Sequence, residues 1–271
     1  MSSQVGVWQE LGDGVFTRRY RFYAQQIGVI VGADEVAVID TRSTTPQADE
    51  IRRDLAYLTS LPVTTVINTH GHYDHAFGNS VFLPAAIWGH VRCASMLAFG
   101  GERQRATLVE DAPSLAREAA EVVIVPPDRV FETEAALDVG GRRVELRYHG
   151  RAHTDNDIVV FVPDAGVLFA GDLVEASAPP YFGDGYPMDW PGTLERIVQF
   201  APPVVVPGHG AVGDRRFLHA QLEDIRAIAD LGRRLHAGEL NIEEAIAAAP
   251  YPSNAAREPL ERAVGQLSGV F

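Results

Sequence analysis

The sequence holds one cysteine, Cys93, in 271 residues, so no intramolecular disulfide can form. Stability must then come from a buried core, and the chain is long enough to build a large one. Such cysteine usage fits a reducing compartment, and the expected location is cytoplasmic. Met1 to Glu10 shows no basic segment leading into an apolar one, so no signal peptide is read. No window approaches the roughly 18 to 20 apolar residues that span a bilayer, which excludes a membrane helix. Positive charge is scarce: 23 Lys and Arg face 36 Asp and Glu, a net charge of −13. No basic stripe is present, so nucleic acid is not an expected partner. Low-complexity tracts, short repeats and Gly/Ser/Pro linkers are also missing. One domain over 1–271 is expected, with helices from about residue 241 packed on it.

What is present alternates in kind. Val15 to Phe22, Ile27 to Gly32 and Val36 to Asp40 read as a strand meander, with a hairpin turn at 32–35. Thr45, as cap, and Pro46 open a helix running to about Ser60. Thr65 to Asn68 is a short buried strand, and Ala86 to Gly89 is another. Residues 91–120 read as helical, with Gly100-Gly101 as a break. A second β-rich stretch follows at Ala136–Val139, Val144–Tyr148, Ile158–Val162 and Val167–Ala170. Then come a helix at Thr193–Phe200, a strand at Val204–Val206, a long helix from Asp214 to about Leu235, and a helix capped by Asn241. This order predicts two sheets face to face with helices outside.

The polar residues are unevenly placed. Three of the nine histidines fall in His70-Gly71-His72-Tyr73-Asp74-His75, directly after a buried strand. Imidazole and carboxylate are the ligands zinc and its neighbours prefer. His70 and His72 can turn to one ion from an extended loop, while Asp74 and His75 face the other side. Three further ligand-type residues, His153, Asp172 and His209, also follow buried strands. His90, His149, His219 and His236 lack any such pattern and read as surface or structural. Trp190 reads as a packing residue at a helix entrance.

His-x-His-x-Asp-His at 70–75, then His153, Asp172 and His209, resembles the metallo-β-lactamase superfamily over roughly Val15 to Phe217. Flanking pieces agree: Val38-Ile39-Asp40-Thr41, Asn68-Thr69, His153-Thr154 with Asp157, Phe169-Ala170-Gly171-Asp172, and Pro207-Gly208-His209-Gly210. The resemblance implies an α+β fold, a four-layer αβ/βα sandwich of two mixed β-sheets flanked by helices. It also implies two zinc ions, with iron or manganese as other occupants. His70, His72 and His153 would hold the first, Asp74, His75 and His209 the second, and Asp172 would bridge them. A shared hydroxide would then attack an ester, thioester, lactone or amide of a small molecule, with Asp74 orienting it.

True β-lactamases of this family typically carry Cys or Ser where Asp172 stands, and Cys93 is misplaced for that role. The glutathione-thioesterase contacts are not recognisable, and the charge does not suit the nuclease branch. An iron-dependent oxidoreductase acting on a sulfur compound, a β-lactam hydrolase and a non-catalytic protein retaining its metal site stay open as alternatives. Tyr181 and Tyr186, in a Pro/Gly-rich loop after Asp172, and Phe22 in the first hairpin are candidate substrate contacts. The last helices suit a homodimer interface or a lid.

Overall fold

The computed structural model describes residues 6–200 and 202–271. Its first sheet has seven strands in chain order: β1 (Trp8–Gly12), β2 (Val15–Arg19), β3 (Gln26–Val31), β4 (Val36–Ile39), β5 (Val63–Ile67), β6 (Ala86–His90) and β7 (Arg129–Phe131). The first four pair antiparallel as a meander. From β4 onward the pairs are parallel. Parallel neighbours need crossovers, and helices supply them: α1 (Thr45–Leu55), α2 (Tyr73–Ala76), α3 (Val91–Asp111) and α4 (Ala116–Glu121).

The second sheet contains β8 (Glu134–Val139), β9 (Arg142–Tyr148), β10 (Ile158–Val162), β11 (Val167–Gly171) and β12 (Val204–Pro207), ordered β12-β11-β10-β9-β8. Helices α5 (Trp190–Val198), α6 (Arg215–His236), α7 (Ile242–Ala248) and α8 (Ser253–Leu267) cover its outer face. The strands explain their own placement. β4 and β11 are apolar at almost every position and buried along their length, as central strands must be. β8 alternates buried and exposed residues, as suits an edge with one wet face.

Three apolar layers follow. One lies between the sheets around Ile39, Val160 and Phe169. A second packs α1 on the first sheet through Ala48, Ile51 and Leu55. The third packs α5 to α8 on the second sheet through Trp190, Leu222 and Leu260. This is the four-layer αβ/βα sandwich. No helix among the described residues is long and apolar enough to cross a membrane.

Three local expectations are corrected. The cap of α1 is Thr44, not Thr45: Thr44 is extended and its side chain accepts from the Gln47 amide, while Thr45 is already helical. Gly100-Gly101 does not break α3, which runs through both. A Cβ at Gly101 would lie 2.9 Å from Ile124, so its bareness serves the close approach of the chain after α4. The first hairpin strand stops at Arg19, and residues 22–24 form a tight turn with Tyr23 and Ala24 at φ 54° and 52°.

Candidate metal centre

The carboxyl ends of β4, β5, β11 and β12 meet along one edge of the sandwich, where Asp40, His70, Asp172 and His209 leave their strands. β9 delivers His153 a few residues beyond its end. Gly71 N–H donates to Asn156 Oδ1 at 2.9 Å, tying the 70–75 loop to the His153 loop. Asp157 stiffens that second loop by accepting from the Thr154 amide and hydroxyl at 2.6 and 2.8 Å. Gly171 takes a left-handed φ of 54°, and a Cβ there would press on Thr69. At Gly208 a Cβ would run into Asp172 Oδ1, so only glycine lets β12 pass the carboxylate.

The seven residues read from the sequence come together as two groups. In the first, His72 Nδ1 lies 3.1 Å from His70 Nε2 and 2.9 Å from His153 Nε2. Asp172 Oδ2 is 3.7 Å from His70 and 3.5 Å from His153. In the second, His75 Nε2 and His209 Nε2 are 3.3 Å apart, and Asp74 Oδ2 is 3.5 and 3.3 Å from them. Asp172 reaches this group too, with Oδ1 at 3.3 Å from His75 and Oδ2 at 3.3 Å from His209. All seven side chains are buried.

The outward nitrogens decide where the ring protons sit. His153 Nδ1 faces the Tyr181 carbonyl at 3.0 Å, and His209 Nδ1 faces the Tyr23 carbonyl at 2.8 Å. A carbonyl only accepts, so both Nδ1 atoms carry the hydrogen. His75 Nδ1 donates to Asp40 at 2.8 Å. The Thr69 hydroxyl spends its one proton on Asp40, so at 3.2 Å it accepts from His70 Nδ1. His72 is reversed: its Nε2 donates to both oxygens of Asp184 at 3.1 Å. With the rings neutral, as metal ligands must be, five lone pairs point inward. Asp172 Oδ1 is buried without a hydrogen-bond partner. Neutral imidazoles with oriented outer nitrogens, converging on unpartnered carboxylate oxygen, are a donor set that zinc accepts.

The electrostatics ask for positive charge at the same place. Burial opposes the charge on His75 and His209, yet Asp172 and Asp74 outweigh it and hold both rings well above their ordinary range. Burial likewise opposes the Asp172 charge, and His209 and His75 hold it well below the usual carboxylate range. His70, fully buried and beside His75, is pushed well down.

A cavity of about 1190 Å³ opens over the centre. Tyr181 and Tyr186 line it, with Tyr23, Arg262 and Glu175. Phe22 is not on that wall. It packs toward the cluster around Tyr73 and Phe77, and its neighbour Tyr23 lines the cavity. Tyr73 Oη donates its one proton to Asp111 at 2.7 Å, so Tyr23 must donate to Tyr73 across 3.2 Å. Tyr23 therefore turns oxygen lone pairs toward the cavity. Burial and the Asp172 charge push the cavity acid Glu175 up to about 8. His90 lies away from the ligand groups, capping α3 and stacked on Tyr148 at 4.2 Å. Trp190 opens α5 as a buried packing residue.

Sequence reasoning identified all seven ligand candidates and missed the outer partners Asp184 and the Tyr23 carbonyl, and Glu175, which holds the Tyr181 amide. Asp184 carried one usable signal, an acid within the Pro/Gly-rich loop after Asp172. Tyr23 adjoins Phe22, in the first-hairpin region that the family resemblance places along the substrate groove, whereas Glu175 carried no signal without the fold.

The family model described as "Metallo-beta-lactamase superfamily" matches residues 20–209, and the chain belongs to that superfamily. It is 29% identical over 161 residues to "Metallo-beta-lactamase type 2" of Bacillus cereus, covering 58% of this chain and 55% of that protein. It is 22% identical over 218 residues to "Linear primary-alkylsulfatase" of a Pseudomonas species, covering 67% of this chain and 40% of that protein. The chain thus spans about half the length of these curated relatives. Among solved structures, a metallo-β-lactamase from Pontibacter korlensis superposes with a TM-score of 0.63 at 21% identity, covering 81% of this chain and 98% of that one. Superfamily homologues are metal-dependent hydrolases.

Proposed function

We propose that the protein is a dinuclear zinc hydrolase that cleaves an ester, thioester, lactone or amide bond of a small molecule. The observation that carries this reading is Asp172, which stands between the two histidine groups within 3.7 Å of both. Bound zinc would supply Lewis acidity and a water acidic enough to react near neutral pH.

The chain's own residues do the rest. Asp74, its oxygen 3.3 Å from His209, would orient the attacking water and take its proton. The Tyr181 ring lies 6.4 and 6.2 Å from those of His72 and His153 on the cavity wall, and its hydroxyl, beside Gly183, would donate to a developing oxyanion. Tyr23 presents acceptor lone pairs to a donor elsewhere on the substrate. A cytoplasmic setting remains part of this proposal, supported by the lone, buried Cys93.

A second reading, β-lactam hydrolysis, draws support from the name of the Bacillus cereus relative. The carboxylate at position 172 favours the first. The test is metal quantification on the purified protein, then a panel of thioester, lactone, sulfate ester, phosphodiester and β-lactam substrates. Fewer than one tightly bound transition ion per chain sinks the metal-hydrolase reading. Turnover confined to β-lactams would select the second reading, and oxygen uptake with bound iron would replace both.

A further inference from the structure

We propose that α8 is a strap that positions the outer partners of the first histidine group and thereby sets the metal affinity of that group alone. This rests on the metal-centre reading above. The starting point is that two of the three histidines in the first group take their outer hydrogen bond from a single loop. His153 Nδ1 donates to Tyr181 O and His72 Nε2 donates to Asp184. The Asp184 side chain is 46% exposed, so burial alone does not hold it.

The loop is fastened at both ends. On the β11 side, the Tyr181 amide donates to Glu175 Oε1 at 3.0 Å. Phe182 is buried, 4.9 Å from the Trp190 ring and 6.2 Å from that of Tyr251, which lies between α7 and α8. Just past Asp184, the fastening comes from α8 itself. Arg262 Nε donates to the Gly185 carbonyl at 2.7 Å. Gln266 Oε1 accepts from the Met188 amide at 2.9 Å, and its Nε2 donates to Asp189 at 3.1 Å. Arg262 and Gln266 are four residues apart and share one face of the helix. The adjoining face, with Leu260 and Ala263, is buried, so α8 is a rigid support. α8 lies outside the residues 20–209 that match the family. Among the described residues the second group has no connection of this kind: His75 rests on Asp40 and His209 on the Tyr23 carbonyl.

The test uses the full chain with Zn²⁺ as the probe, counted after dialysis and titrated against a chromophoric chelator. The Arg262→Ala/Gln266→Ala double variant should keep one Zn²⁺ at wild-type affinity and bind the other about tenfold more weakly. Asp184→Asn should weaken the same ion by roughly 10- to 100-fold, the range for lost outer partners of metal-binding histidines. Arg262→Lys, which keeps a donor for the Gly185 carbonyl, should restore most of the loss. Thermal unfolding of the metal-free double variant should stay within a few degrees of wild type. Equal weakening of both ions, or a metal-free form that melts far earlier, would show a general packing role and overturn the strap. Two wild-type ions with an unchanged double variant would overturn it as well. A wild-type chain that holds no tight Zn²⁺ overturns the metal-centre reading, and the strap falls with it.

Discussion

The two histidine groups are chemically alike and are supported very differently. The second rests on the interior. Asp40, with its side chain only 3% exposed, holds His75 directly, and of the first group it reaches only His70, through Thr69. The Tyr23 carbonyl holds His209, and Gln25 donates to the Asp74 backbone. The first group instead leans on a surface loop through Tyr181 and Asp184. One half of the centre is thus built with the core, and the other is completed by a segment that can vary without disturbing the sheets. Rigid support favours tight metal binding, while loop support leaves affinity and access adjustable.

The largest break in this comparison is Asp172→Ala, which removes the residue common to both groups. Metal analysis should find neither ion retained tightly, and hydrolysis should fall with the metal, by more than the 10²- to 10⁴-fold expected where only a proton-transfer group is lost. Asp74→Asn should lower kcat within that same range while most metal stays bound, which steady-state kinetics with metal counting would check. Asp40→Asn should weaken the second-group ion by about 10- to 100-fold, with some loss at the first through Thr69 and His70. Its mirror, Asp184→Asn, should spare the second group. Equal losses in these two variants would erase the distinction.

A smaller effect is expected at Tyr23→Phe, which removes an acceptor from the cavity and leaves the strained turn intact. KM for a substrate that donates to it should rise about three- to tenfold with kcat little changed, the size of one neutral hydrogen bond. A pH effect of a different kind is expected on the metal-free protein, read in stability and not in turnover. Glu175 is raised from 4.5 to about 8 by burial and by Asp172, so the folded state keeps a proton that the unfolded chain releases. Stability from this group is therefore full below about pH 4.5 and falls as pH rises through about 8. Denaturant melts across that range should show the decline, and Glu175→Gln should flatten it.

Much of this was legible in the chain. The strand-then-ligand pattern at Ile67, Gly171 and Pro207 is local, because apolar runs and the residues that follow them are adjacent in sequence. The seven ligand candidates were readable for that reason. Backbone conformation was less so. Tyr23, Ala24, Asp40 and Arg42 all take positive φ, at a cost of about 1–3 kcal/mol each. None of them is the glycine that would advertise such a turn, so Val15 to Phe22 read as one strand. Gly101 misled in the opposite sense, since the contact with Ile124 that explains it is tertiary. The outer partners lay beyond reach because their meaning depends on which loop lands beside which histidine.

The distances along the chain carry a last consequence, for how the protein matures. His209 meets His75 across 134 positions of sequence, and His153 meets His72 across 81. Neither group exists until the second sheet has docked on the first, so no nascent fragment ending before Asp172 can assemble a complete pair of sites. Contacts this remote form late in folding. An ion that binds only the docked state then stabilises it by mass action. Metal uptake would act as the latch on a finished sandwich and not as the seed of one.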